Sequence, residues 1–214
     1  MKKVKFTQMK EGTKDDYLLL EKHEKKFIEE TPSRILKYMS SLTSTLEGYQ
    51  VSRLEHSLQS ATRALQDKAE DEMIVAALLH DIGHFTSDFG TFSMDDSHDR
   101  QHEVYGAKVL APFFPESVTQ CVRHHVSAKR YLCATRAEYF SQLSAASVHS
   151  LKLQGGPMTA LEVSQFETNP YLQSIIKVRL VDDGGKVANL KTRSFKDFEQ
   201  LLQNLVDEHC TKPF

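Results

Sequence analysis

Histidine and aspartate stand side by side in Ala76-Ala-Leu-Leu-His80-Asp81-Ile-Gly-His84, at the end of a nearly unbroken apolar run from Met73 to Leu79. Neutral imidazole and carboxylate are ordinary ligands of divalent transition metals. A buried helix ending at that pair sets both groups at the edge of a core, where a metal site is partly dry. Other residues of the same chemistry lie at wide spacing: His56, His98, His102, the pair His124-His125, and Asp182-Asp183. Four histidines and two aspartates exceed the needs of one ion. Two metals ~3.5–4 Å apart and sharing a carboxylate would use them all. Asp81, following a ligand at a helix end, is the natural bridge. Spacing alone leaves open which of His98 and His102, and which of His124 and His125, takes part. His23, His149 and His209 are read as non-ligands. Nothing resembles a Walker loop, a GxSxG elbow or a GxGxxG fingerprint.

The elements that must position these groups read as helices, and strand alternation is hard to find. Thr31-Pro32 predicts an N-cap followed by proline in the first turn. Ser52-Arg-Leu-Glu55 and Thr159-Ala-Leu-Glu162 fit the capping box. From Ser52, Leu54, Leu58, Ala61 and Leu65 form one stripe. His56, Gln59 and Arg63 form the other face, which is expected to turn toward the site. His98 and His102, four residues apart, could share a helix face, and Asp183 reads as a helix-end or turn residue. Ser194 precedes a segment in which Phe198, Leu201, Leu202 and Leu205 share a face. Breaks are expected near Gly48, Gly83–Asp99, Pro112–Pro115, Gly155–Pro157 and Gly184–Asn189. The expectation is an all-α domain preceded by a charged helix over roughly residues 14–30.

Bulk properties agree with a globular chain. Its 214 residues, 40% apolar and 26% charged, are enough to bury a full core. A net charge of −2 gives no support for nucleic-acid or acidic-membrane partners. No apolar stretch approaches the ~18 residues of a membrane span, and Met1-Lys-Lys-Val-Lys lacks a secretory apolar region. Cys121, Cys133 and Cys210 form no paired framework and read as reduced thiols, so the cytoplasm is the expected compartment.

The order of His56, His80-Asp81 and Asp182 resembles the H…HD…D signature of the HD-domain superfamily, all-helical metalloproteins that are mostly phosphohydrolases. His102 and His125 resemble the extra ligands of its two-metal branch. Leu54-Glu-His56-Ser-Leu-Gln59, Gln101-His-Glu103, His125-Val-Ser-Ala-Lys129-Arg-Tyr-Leu132, Leu151-Lys-Leu-Gln-Gly-Gly156 and Asp182-Asp-Gly-Gly-Lys186 are similar to the phosphonate-degrading HD-domain oxygenases, over about residues 48 to 190. That resemblance implies a single HD-domain helical bundle over residues 46–214 with a dimetal site in its core. Residues 1–45 would form an N-terminal helical extension packed on it.

The resemblance further implies two irons, mixed-valent Fe2+/Fe3+, with other divalent metals as substitutes. One would be held by His56, His80, Asp81 and Asp182, the other by Asp81, His102 and His125. It implies a small hydroxylated organophosphonate and O2 as reactants, the carbon–phosphorus bond being cleaved. His84, Lys129, Ser147 and Arg179 would bind the phosphonate, with His84 and Lys129 catalytic. A guanidinium, an ammonium and hydrogen-bond donors suit a dianion. One departure concerns substrate choice. Where an aminophosphonate-cleaving member has a tyrosine and, three residues on, a glutamate for the amine, this chain has Leu46 and Tyr49. Tyr49 thus stands at a substrate-facing position without the carboxylate. Two alternatives use the same ligands: a divalent-metal phosphohydrolase acting on a phosphate ester or nucleotide, and a regulatory protein that keeps the metal without turnover.

Overall fold

The structure is a computed structural model and describes residues 8–41, 50–85 and 97–210. Those residues form helices and contain no strand. Two N-terminal helices, α1 (Lys14–Glu29) and α2 (Thr31–Ser41), precede α3 (Arg53–Gln66) and α4 (Asp71–Leu79). A 3-10 turn, Ile82–Phe85, leads out of α4. Then come α5 (His102–Leu110), the long α6 (Glu116–Thr135), α7 (Ala137–Ser141) and α8 (Ala145–Leu153). The chain continues through α9 (Ala160–Phe166), α10 (Leu172–Asp183) and α11 (Lys196–Cys210).

The core is organised around α4. Every residue from Met73 to Leu79 is buried, as a helix apolar on all sides requires. It packs on α3, α6, α10 and α11, and α5 lies against α6 and the 3-10 turn. On α6 the buried positions Val118, Cys121, Val122, His125, Ala128, Lys129 and Leu132 follow the helical repeat. The N-terminal helices pack against this bundle, α1 on α11 and α2 on α11 and α3.

Both expected capping boxes form. The Ser52 N–H donates to Glu55 at 2.7 Å and the Glu55 N–H to Ser52 Oγ at 3.2 Å. Thr159 and Glu162 do the same at 2.8 and 3.3 Å. Thr31 does not cap. Only Glu30 separates α1 from α2, so Thr31 is already helical, and its hydroxyl donates back to the Phe27 carbonyl at 2.9 Å. The faces of α3 follow the expectation in part. His56 and Gln59 are buried, as expected of the face turned to the site, with Ser60 beside them, while Arg63 of that face and Leu65 of the apolar stripe are exposed, Leu65 at 41%.

Two glycines set how closely backbones meet. A Cβ on Gly83 would lie 1.9 Å from the His102 carbonyl oxygen, and one on Gly106 would lie 3.1 Å from the Gly83 nitrogen. The 3-10 turn therefore sits directly on the start of α5. Contact between bare backbones is what carries Asp81 and His84 to His102.

Candidate metal centre

Five elements deliver imidazoles and carboxylates to one buried point. His56 comes from α3, His80 and Asp81 from the turn after α4, His102 from the start of α5, His125 from mid-α6 and Asp182 from the end of α10. All are buried. His56 Nε2 lies 3.0 Å from His80 Nε2, and His102 Nε2 lies 3.1 Å from His125 Nε2. Asp81 stands between the two pairs. Its Oδ2 is 3.7 Å from His56 Nε2, and its Oδ1 is 3.4 Å from His102 and 3.7 Å from both His80 and His125. Asp182 Oδ1 lies 3.2 Å from His56 Nε2 and 3.8 Å from His80 Nε2.

The outer nitrogens define the tautomers. Nδ1–H of His56 donates to the Gly185 carbonyl at 2.8 Å, that of His80 to Ala77 at 2.8 Å, and that of His125 to Val122 at 2.7 Å. A carbonyl only accepts, so in a neutral ring each Nε2 keeps its lone pair for the centre of the cluster. Lone pairs facing one another at 3.0 Å repel unless a cation lies among them. Burial holds His80 and His125 below the usual histidine range; burial also acts on His102, but the Asp81 carboxylate beside it outweighs burial and raises that ring. Burial opposes ionisation of Asp81, but His80, His102 and His84 outweigh it and hold the carboxyl well below its usual range. Imidazole Nε2 atoms converging on an ionised carboxylate in this arrangement fit metal ions.

Gly185 explains the chain after α10. Gln59 closes a two-way clasp on Val187, donating to its carbonyl at 2.7 Å and accepting from its N–H at 3.0 Å. The clasp draws Gly185 so near α3 that a Cβ there would lie 2.5 Å from Ser60 Oγ and 3.0 Å from His56 Nδ1.

Beside the cluster is a cavity of about 130 Å³ lined by His84, Lys129, Ser147 and Arg179 together with donor atoms of the cluster. His84 stacks on His102, ring centroids 3.9 Å apart, and its Nε2 is 3.9 Å from Asp81. Lys129 lies one turn after His125, and its ammonium donates to Ser150 Oγ at 2.8 Å. Tyr49 and Leu46 fall outside the described residues. Of the paired histidines, His98 is exposed at the cavity rim because α5 begins only at His102. His124 points away and meets the ring of Phe166.

Arg179 is less available than the sequence suggests. Its Nη1 donates to Asp182 Oδ2 at 2.6 Å, and Nε and Nη2 donate to Asp183, with Nε at 3.1 Å. Asp183, read as a mere helix end, also accepts the Tyr139 hydroxyl. Lys186 donates to Asp182 Oδ1 at 2.8 Å. Arg179, Asp183 and Tyr139 thus form a chain that holds Asp182. The i, i+4 spacing of Arg179 and Asp183 could have signalled the pair. Nothing in the sequence marks Tyr139 or Ser150.

Burial, with Arg179 nearby, pushes Lys129 down to about 7 from an ordinary 10.5. Between those values the folded chain binds fewer protons than the unfolded one, so folding stability rises with pH through that window. Replacing Lys129 with methionine is expected to flatten the rise, on the order of a few kcal/mol in full. Urea unfolding of the metal-free proteins from pH 6 to 9 measures it; parallel curves for variant and parent would refute it.

The fold and its buried histidine–aspartate cluster are those of a helical metalloprotein. The chain belongs to the HD domain family, whose pattern matches residues 53–162. Among characterised relatives it is similar to [1-hydroxy-2-(trimethylamino)ethyl]phosphonate dioxygenase (glycine-betaine-forming) of Leisingera caerulea, 59% identical over 76% of this chain and 83% of that one. It is also similar to hydroxymethylphosphonate dioxygenase of Gimesia maris, 44% identical over 73% and 79% of the two chains. An uncharacterised protein of Acanthamoeba polyphaga mimivirus is 29% identical over 75% and 74%. No helix among the described residues is long and apolar enough to cross a membrane.

Proposed function

We propose that the protein is a diiron HD-domain dioxygenase that converts [1-hydroxy-2-(trimethylamino)ethyl]phosphonate and O2 into glycine betaine and phosphate. The observation that carries this reading is 59% identity to the Leisingera enzyme across most of both chains. A trimethylammonium group has no N–H to donate, so it makes no demand for the carboxylate whose place Tyr49 takes. The reaction balances without an outside reductant. The carbon bearing the hydroxyl rises to a carboxylate and loses four electrons, O2 gains them, and the C–P bond is exchanged for a P–O bond of phosphate.

His56, His80, Asp81 and Asp182 would hold one iron, and Asp81, His102 and His125 the other; bound iron would supply the electron transfer to O2. The protein's own groups do the rest. Nδ1-anchored rings keep donor atoms aimed at the cluster, and His84, Lys129, Ser147 and Arg179 would orient the phosphonate beside it. Burial of the cluster keeps water from the reacting carbon. In the same reading residues 1–45 are an extension on the HD domain. The family match beginning at residue 53 and the packing of α1 and α2 on the bundle support that division.

The test is to load the protein anaerobically with iron, add the trimethylamino substrate and then O2. One phosphate and one betaine per O2 consumed is the expected result, with hydroxymethylphosphonate the poorer substrate. Phosphate release from esters without O2, on zinc or manganese, would instead make it a hydrolase.

A further inference from the structure

Arg53 belongs to neither the metal cluster nor the set of residues expected to bind the phosphonate. It is nonetheless only 2% exposed. It opens α3 three residues before His56, so the two side chains share the face turned toward the cluster. Its side chain lines the same cavity as Lys129, Ser147 and Arg179. Asp81 and His84 both feel its charge.

What sets Arg53 apart is the lack of an acceptor. Its Nε has no hydrogen-bond partner, and among the described residues no carboxylate is ion-paired with it. Of the other cations lining the cavity, Arg179 is held by Asp182 and Asp183, Lys186 by Asp182 and Lys129 by Ser150, while Arg100 is less deeply buried than Arg53. A guanidinium does not shed its proton near neutrality, and burying one without an acceptor is unfavourable. Its flat fork of N–H donors matches the oxygens of a tetrahedral dianion.

We propose that Arg53 binds the substrate's phosphonate, closing the anion subsite from the α3 side. This rests on the reading of the site as a phosphonate site, and it adds a fifth element to the four that supply His84, Lys129, Ser147 and Arg179. Lys129, Ser147 and Arg179 stand on α6, α8 and α10 and His84 on the 3-10 turn. Arg53 and Lys129 are the cations among them with no carboxylate ion-paired to them among the described residues, and Lys129 already donates to Ser150.

Calorimetric titration of the iron-loaded protein without O2 tests this, with inorganic phosphate and methylphosphonate as probes. Arg53→Gln and Arg53→Met are expected to weaken both probes at least tenfold while iron content and melting temperature stay near those of the parent. The methionine variant keeps an apolar stem against the core, so it decides if the glutamine variant folds poorly. Unchanged affinity in a folded variant overturns the proposal. Loss of iron from both variants overturns it too, since Arg53 would then support Asp81 rather than bind the anion. Phosphate binds hydrolases and oxygenases alike. Absence of phosphonate turnover in the parent would therefore remove the oxygenase reading and leave the Arg53 result standing. Unchanged phosphate affinity with intact betaine formation would remove Arg53 alone.

Discussion

Asp81→Ala is expected to empty both metal positions together. Oδ2 of this carboxylate faces His56 while Oδ1 faces His102, His125 and His80, so one side chain serves both halves of the cluster. Without it, two pairs of imidazole lone pairs remain with no anion between them, and two cations held close would repel unscreened. Metal content should fall from about two ions per chain to a small fraction of one. Turnover should drop by at least roughly 10³-fold, since metal activation is worth several kcal/mol and each 1.4 kcal/mol is tenfold. Elemental analysis of the purified variant settles it. One ion retained at full occupancy would show that Asp81 serves a single metal and that another group bridges.

Arg179→Ala is expected to be the most destabilising single change at the site. The guanidinium binds Asp182 and Asp183 at once, with Asp182 buried. Removing it leaves neighbouring carboxylates facing each other in a medium of low dielectric. Breaking a buried pair in this way costs about 3–5 kcal/mol. Burial opposes ionisation of Asp182, but Arg179 and then Lys186 outweigh it and hold the carboxyl well below its usual range. That contribution is present above the ordinary carboxylate range and is lost as the pH falls through the folded value. The gap between variant and parent should therefore be widest near neutrality and narrow in acid. Denaturant unfolding of the metal-free proteins at pH 7 and near pH 2, below the ordinary carboxylate range, measures both quantities. A gap under 1 kcal/mol at pH 7 would mean that water or Lys186 replaces the guanidinium.

The helical class and the convergence of histidines with Asp81 were legible because they follow from residue type and the helical repeat. The apolar run Met73 to Leu79 has no polar face to expose, so its burial and the position of His80 at its end are direct consequences. The choice between His124 and His125 was also readable in principle. His125 is in phase with Val118, Cys121, Val122 and Leu132, and His124 is not. The choice between His98 and His102 came from the resemblance of Gln101-His-Glu103 and not from helical phase. It depends on Gln101 adopting φ 52° ahead of α5, a left-handed conformation that glutamine does not advertise.

On α3 the inward turn of His56 and Gln59 was legible, but what satisfies them there was not. The polar face is buried because His56 and the Gln59 clasp on Val187 satisfy it there, and those partners lie about 130 residues away in sequence. Asp183 was undervalued for the same reason. Its partner Tyr139 sits on a short helix that no spacing connects to α10.

The approach of Gly83 to Gly106 has a further consequence for how such a protein can diversify. The offset between the turn bearing Asp81 and the helix bearing His102 is set by bare backbone meeting bare backbone, so no side chain exists there to be resized. A larger residue at Gly83 would wedge the two halves apart, and nothing smaller is available. The offset between Asp81 and His102 is in effect frozen. The walls contributed by α3, α6 and α8 are ordinary side chains that can be exchanged singly. Substrate range can drift along those walls while the spacing of the histidine–aspartate cluster stays constant.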